Sequence, residues 1–323
     1  MRKYLLTGIL FTFIVFPSIN RVHAGDVIGG YAGAFLRMGV GPRAQALGDA
    51  YTAVREGAYV GLYNPASVAV LPSRQVMASF SLLSLDRKFY AVAVALPLRP
   101  KGAGALNGGL SLGWVHAGVN KIDGRDFSGN HIGMFSNSEN MFYFSFALHP
   151  HKFITIGLNG KILYNSFPRV TENDGSLTSS GFGVDFGVLC MPMNGLSLGF
   201  TVHDINSKYT WNTEEVWERG TSIVDNFPVI YRWGAAYQLP QKWLLVTADI
   251  EHSKKQEAQY HIGVEGVYSK MLAVRAGLDN GSLRLGLGVE FTAFGKRTGL
   301  DYAYVSTVEG LSPDHVFAWI FNF

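Results

Sequence analysis

The sequence predicts an all-β protein: a 14-stranded antiparallel transmembrane β-barrel with a short, partly helical N-terminal plug in its lumen. Three observations predict it. From Ser73 onward, apolar residues recur with period two, segment after segment. The opposite parity of those segments is mostly Gly, Ala and Ser with scattered charges, where a soluble sandwich would carry many Lys and Glu. The chain also stops inside a strand, with Phe317, Trp319, Phe321 and Phe323 on one parity. Such an aromatic row on a soluble edge strand invites aggregation. On the closing strand of an outer-membrane barrel it faces lipid and ends in an interfacial girdle.

The front end fixes the route. Met1-Arg2-Lys3 is basic, residues 5–16 form an apolar run of secretory length, and Val22-His23-Ala24 offers a small-x-small cleavage site. Residues 1–24 therefore read as a signal peptide, and the mature chain starts at Gly25, leaving about 300 residues. No later segment approaches 18 unbroken apolar residues, so no transmembrane helix is expected. Charged residues make up 16% of the chain, against roughly 25% in soluble domains. The net charge of +3 gives no reason to expect a nucleic-acid partner. The single Cys190 cannot form an internal disulfide, and its parity puts it on the outer face.

The strands follow in order. The first three show Val76, Ala78, Phe80 and Leu82, then Tyr90, Val92 and Val94, then Leu110, Leu112 and Trp114. The next four show Phe142, Phe144 and Phe146, then Ile154, Ile156 and Leu158, then Phe182, Val184 and Phe186, then Leu196, Leu198 and Phe200. Tyr231 and Trp233, Leu244 and Val246, Tyr260 and Ile262, and Leu272 and Val274 mark four more. Leu283, Leu285 and Leu287, then Tyr302 and Tyr304, and finally the C-terminal aromatics complete an even count. The connections alternate between short turns and longer loops at 118–138, 167–178, 204–226 and 306–313, with a tight exception at Asp279-Asn280-Gly281. Short periplasmic turns and long outer loops are the pattern of such barrels, and this count places both termini on the periplasmic side. Residues 73–323 are thus the barrel.

Residues 25–72 do not alternate. The stretch 42–51 reads as a short helix with Pro42 in its first turn, and Asn64-Pro65 as the cap and first position of a second. A segment of this kind placed before the first strand can fold back as a plug, or it can form a periplasmic arm.

Two stretches carry a resemblance. Gly41-Pro42-Arg43-Ala44-Gln45-Ala46-Leu47-Gly48-Asp49-Ala50-Tyr51, followed by Tyr63-Asn64-Pro65-Ala66, resembles the N-terminal signature of FadL-like outer-membrane proteins, most of all the PorV/PorQ branch. The C-terminal third, with Ala273-Val274-Arg275-Ala276-Gly277 and Asp301-Tyr302-Ala303-Tyr304, resembles it as well. The resemblance implies a 14-stranded barrel with a lumenal hatch in the bacterial outer membrane. For the FadL-like family it implies passage of hydrophobic molecules, with a hydrophobic ligand in the lumen. For the PorV/PorQ branch it implies type IX secretion or surface attachment, with a translocon and the C-terminal domains of cargo as partners. It also implies that the barrel assembly machinery reads Phe317, Trp319, Phe321 and Phe323 during insertion into outer-membrane lipid.

Residues with chemistry are few. Lumen parity collects Asp249, Glu251, Glu265, Arg275, Arg284, Glu290 and Asp301 on late strands, either to grip the plug or to tune a pore, with Arg43 as a plug cation for one of the carboxylates. None of the nine His sits in a short motif with Ser and an acid, so no catalytic residue is assigned and no enzyme is expected. No cofactor or metal is expected. The acidic pair in Asp123-Gly124-Arg125-Asp126 reads as a polar turn. The outer-loop residues Tyr209, Trp211 and Trp217 are candidates for contact with a partner or for a lid over the mouth.

Overall fold

The computed structural model describes residues 30–102, 105–168, 175–214, 220–269, 271–307 and 311–323. The signal peptide expected at 1–24 and the side chain of Trp217 lie outside them. The first seven barrel strands are β1 (Gln75–Leu82), β2 (Arg87–Leu98), β3 (Asn107–Arg125), β4 (His131–His151), β5 (Ile154–Phe167), β6 (Leu177–Met193) and β7 (Leu196–Ile205). Two short strands, β8 (Lys208–Asn212) and β9 (Ser222–Asn226), follow as a hairpin. The wall resumes with β10 (Ile230–Gln238), β11 (Leu244–Ser253), β12 (Gln256–Tyr268), β13 (Leu272–Asp279), β14 (Ser282–Ala293), β15 (Lys296–Val305) and β16 (Asp314–Asn322). Without β8 and β9 the sheet is a closed antiparallel barrel of 14 strands. β16 closes it on β1, from Gln75 opposite Asn322 to Leu82 opposite His315.

The pleat sorts the side chains as the period-two pattern requires. Phe80, Leu112, Phe144, Leu158, Leu285 and Trp319 are exposed on the outside, while Ala91, Ala93 and Ala95 are fully buried facing in. Phe317 stacks on Phe80 with ring centroids 5.2 Å apart and touches Tyr302 at 5.1 Å, so the closing seam is stitched on both sides by aromatic pairs. The Asn280-Gly281 turn has positive φ at both residues, 45° and 88°, as a two-residue hairpin requires.

The structure corrects several expectations. The stretch 118–138 is not a loop. β3 and β4 stay paired from Asn107 opposite His149 to Arg125 opposite His131, through bulges, and form a long arm closed by residues 126–130. Alternation fades there because neither face of the arm is buried. The stretch 204–226 contains the β8–β9 hairpin, and β8 adds to β6 at Ser179 and Ser180. The helix expected over 42–51 is only Pro42–Ala46, because Gly48 at φ 66° turns the chain where the Leu278 and Ile262 carbonyls of the wall press against it. Both termini were expected at the short-turn end. Phe323 is there, its amide bonded to the Arg74 carbonyl, but Tyr31 lies under Lys255 at the loop end.

Residues 30–71 run through the lumen and supply much of the buried core. Leu47, Ala53, Ala58, Val60, Val68 and Leu71 are almost fully buried. Wall glycines make room for them: a Cβ at Gly157 would strike Pro65, one at Gly263 would strike Leu47, and one at Gly109 would strike the Val68 carbonyl. The segment ends at the short-turn rim, where Arg99 donates to the carbonyls of Ala69 at 2.9 Å and Leu71 at 3.1 Å.

Candidate functional site

The lumenal segment meets two different half-walls. Residues 57–71 pack on β1 to β6 through apolar and small groups, including Val60, Val68, Met77, Val115, Met141 and Leu163. The polar bonds of Tyr59 and Asn64 there run between uncharged groups. Tyr59 Oη donates to the Ala91 carbonyl at 2.8 Å. Asn64 caps the 3₁₀ helix Pro65–Val70 by accepting from the Ala66 amide, and its Nδ2 donates to the carbonyls of Thr52 and Val188.

Residues 41–56 meet β10 to β15 through charge. Arg43 makes a two-pronged bond to Glu265, at 2.8 and 2.7 Å. Glu265 also accepts from Arg275 at 2.6 Å, and Arg275 reaches Asp301 at 2.8 Å. Asp49 takes a bond from Arg284 at 3.0 Å and from Tyr63 Oη at 2.9 Å, while Arg284 also pairs with Asp279. Burial pushes the Asp49 carboxyl up from its ordinary value, opposed by Arg284. Burial likewise pushes Tyr51 up to about 12 and Tyr63 well above its usual range, so both remain neutral donors.

The tightest point is the turn at Tyr51-Thr52. Both amides donate to Asp249 Oδ2, at 3.0 and 2.9 Å. The preceding Ala50 carbonyl accepts from Thr247 at 2.6 Å. Thr52 is fully buried, and a Cβ at Gly199 or Gly234 would strike it, so it is wedged between β7 and β10. Two cavities face each other across this wedge, along the same two strands. The one at the loop end is lined by Leu36, Val40, Leu62, Tyr63, Ile230 and Arg232, among others. The one at the short-turn end is lined by Val54, Arg55, Ser197, Ala236, Gln238 and Leu245, among others. Several charged groups at the loop-end cavity are paired: Lys161 bonds Asp185 and Asp204, and Arg232 bonds Glu251, while Arg37 donates to the carbonyls of Ala32 and Tyr31.

The residues singled out from sequence are therefore distributed unevenly. Gly41, Arg43, Ala44, Leu47, Gly48, Tyr51, Asn64 and Pro65 all lie in the lumenal segment, and Asp249, Glu265, Arg275, Arg284 and Asp301 all face it. Glu290 does not join them. It is exposed and pairs with Arg297. Tyr209 and Trp211 are not exposed contacts, at 2% and 8% exposure. They pack with Phe227 and Phe167, and Phe227 rests against Gly33, so this hairpin folds over the mouth. Of the acidic stretch read as a polar turn, Asp123 to Arg125 lie on β3, with Asp123 held by Arg125 and His131, and only Asp126 is in the turn, accepting from the amides of Ser128 and Asn130. Lys161, Asp204 and Arg232 were not singled out. Lys161 stood in view as a lone cation on the inward parity of β5. Among the described residues no group of three His, Cys, Asp or Glu is arranged to hold a metal.

No family model matches the sequence, and no curated protein matches it. Solved structures do match. The toluene transporter TbuX of Ralstonia pickettii superposes with a TM-score of 0.62 at 14% identity, covering 88% of this chain and 98% of that one. The toluene transporter TodX of Pseudomonas putida gives 0.58 at 11% identity, covering 86% and 96%. A FadL homologue of Pseudomonas aeruginosa gives 0.55 at 13% identity, covering 84% and 95%. The protein has the fold of a bacterial outer-membrane barrel. At such identities the likeness is one of fold, and it is to transporters and channels. The PorV/PorQ branch rests on its signature residues alone, and the structure uses those residues to seat the lumenal segment.

Proposed function

We propose that the protein is a non-enzymatic outer-membrane channel for small, uncharged hydrophobic molecules, closed in this state by its own lumenal segment. One observation carries the reading: two cavities lie at either end of β7 and β10, with the Tyr51-Thr52 turn that Asp249 holds packed on the same two strands between them. At the loop-end cavity Lys161 is paired with Asp185 and Asp204 and Arg232 with Glu251, and Leu36, Val40, Leu62 and Ile230 offer an apolar guest a surface to meet. The neighbours in fold are a toluene transporter and a monoaromatic hydrocarbon channel, which supports the solute class. Release of the turn from Asp249 would join the cavities. The test is uptake of radiolabelled toluene by cells lacking hydrocarbon channels. Expression of the wild-type chain is expected to raise the initial rate, and Thr52→Gly, which thins the wedge, to raise it further.

A second reading, participation in type IX-like secretion or surface attachment, is favoured by the two-part signature at 41–51 and 63–66. It calls for a translocon or cargo C-terminal domains in a pull-down from native outer membranes. Recovery of such partners, with toluene uptake at the level of the empty vector, would select it.

A further inference from the structure

The outer surface carries a basic and aromatic belt at the loop-end edge of β16, β1, β2 and β3. Its centre is Lys88. Lys88 is exposed on the lipid-facing parity of β2, and no acidic partner or hydrogen bond engages it among the described residues. The nearby carboxylates are already taken: Asp314 pairs with Arg87 at 3.6 Å and Asp86 with Lys121 at 4.0 Å. Across the sheet, Leu82 stands opposite both Lys88 and His315. On the other side Lys88 stands opposite Gly118, and the His116 ring leans toward that glycine.

Both histidines are held in place. His116 Nδ1 lies 3.0 Å from Asn140 Oδ1, which also accepts from Trp114 Nε1, so the His116 nitrogen must be the donor. His116 stacks on Tyr90 with centroids 5.8 Å apart. His315 Nδ1 lies 2.8 Å from Tyr302 Oη. In each ring Nε2 is left without a partner among the described residues.

Height matters as much as charge. Lys88 is ten residues from Leu98, the lower end of β2. At about 3.4 Å per residue and a tilt of about 40°, that raises it by about 25 Å, the height of the apolar band of such barrels. Lys88 therefore sits where the hydrocarbon ends and the headgroups of the outer leaflet begin. Aromatic rings flank a cation with no counter-ion of its own.

We propose that this belt binds the phosphate of a phosphorylated glycolipid of the outer leaflet, with Lys88 as the charge that meets it and His116 and His315 as flanking polar groups. The test uses the full mature chain in detergent, with bound lipid read by native mass spectrometry and stability by heat-modifiable gel mobility. Bisphosphorylated lipid A is expected to bind and raise the melting temperature, while dephosphorylated lipid A and inorganic phosphate do neither. Lys88→Glu is expected to weaken lipid A binding by at least about tenfold. Lys254→Glu, at an exposed loop lysine elsewhere on the same end, is expected to leave it unchanged. Retained heat-modifiability of both variants shows that they fold. Equal binding of dephosphorylated lipid A, stabilisation by inorganic phosphate alone, or equal loss in both variants would overturn the proposal. Toluene uptake plays no part in this readout, so the belt and the channel stand or fall separately.

Discussion

At the scale of single residues, the lumenal segment is held by a few bonds whose loss has distinct consequences. Arg43 and Glu265 are buried and joined by two hydrogen bonds. Removing Arg43 leaves Glu265 buried with Arg275 as its remaining partner, so the cost falls below the about 3–5 kcal/mol of a wholly unpaired buried charge. Arg43→Ala is therefore expected to lower the temperature at which the folded gel band is lost. The double variant Arg43→Ala with Glu265→Ala is expected to cost less than the sum of the singles. Strict additivity would show that the pair is not coupled. Gly48 stands at φ 66° with wall carbonyls on its α-carbon, so a side chain there meets both strain and collision. Gly48→Ala is expected to loosen residues 41–56, read as faster protease cleavage there while the barrel stays heat-modifiable. Asp249→Ala leaves two buried amides unbonded, each worth about 1–3 kcal/mol, and should weaken the closed state more than the barrel itself.

At the scale of elements, period-two alternation made the barrel strands legible, because one face meets lipid and the other meets a packed lumen. It failed where that difference vanishes. The β3–β4 arm has water on both faces, and around Gly118, Asn120, Lys121 and Gly124 no apolar parity survives. The β8–β9 hairpin was hidden by strands of only five residues, though Tyr209 and Trp211 do alternate. Their burial was illegible because it depends on Phe227 and Phe167, far apart in sequence. The Asn64 cap was readable from its Pro65 neighbour, whereas the wedge at Thr52 shows no motif and exists only because Gly199 and Gly234 face it. Replacing residues 208–226 by a short Gly-Ser linker is expected to leave the barrel intact and to raise access of a thiol reagent to a cysteine placed at Leu36. Unchanged labelling would show that the hairpin does not cover the mouth. In β16, Trp319→Arg puts a charge on the lipid face and is expected to cost up to about 2–4 kcal/mol, depending on depth. The readout is a smaller heat-modifiable fraction. Deleting Phe323 is expected to lower the yield of membrane-inserted protein.

At the scale of the whole molecule, the two half-walls divide the labour. Charge on β10 to β15 fixes residues 41–56 in register, and apolar packing on β1 to β6 fixes residues 57–71. The late-strand charges on lumen parity marked one half of this plan, and Glu290 fell outside it, exposed and paired with Arg297. The plan places the Tyr51-Thr52 turn on β7 and β10 between the two cavities. The most direct measurement is the initial rate of radiolabelled toluene uptake in cells without their own hydrocarbon channels, comparing empty vector, wild type and Asp249→Ala at matched surface levels. Wild type above vector, and Asp249→Ala above wild type by several-fold, is the expected result. Rates for both proteins equal to the vector would contradict the channel and its latch together.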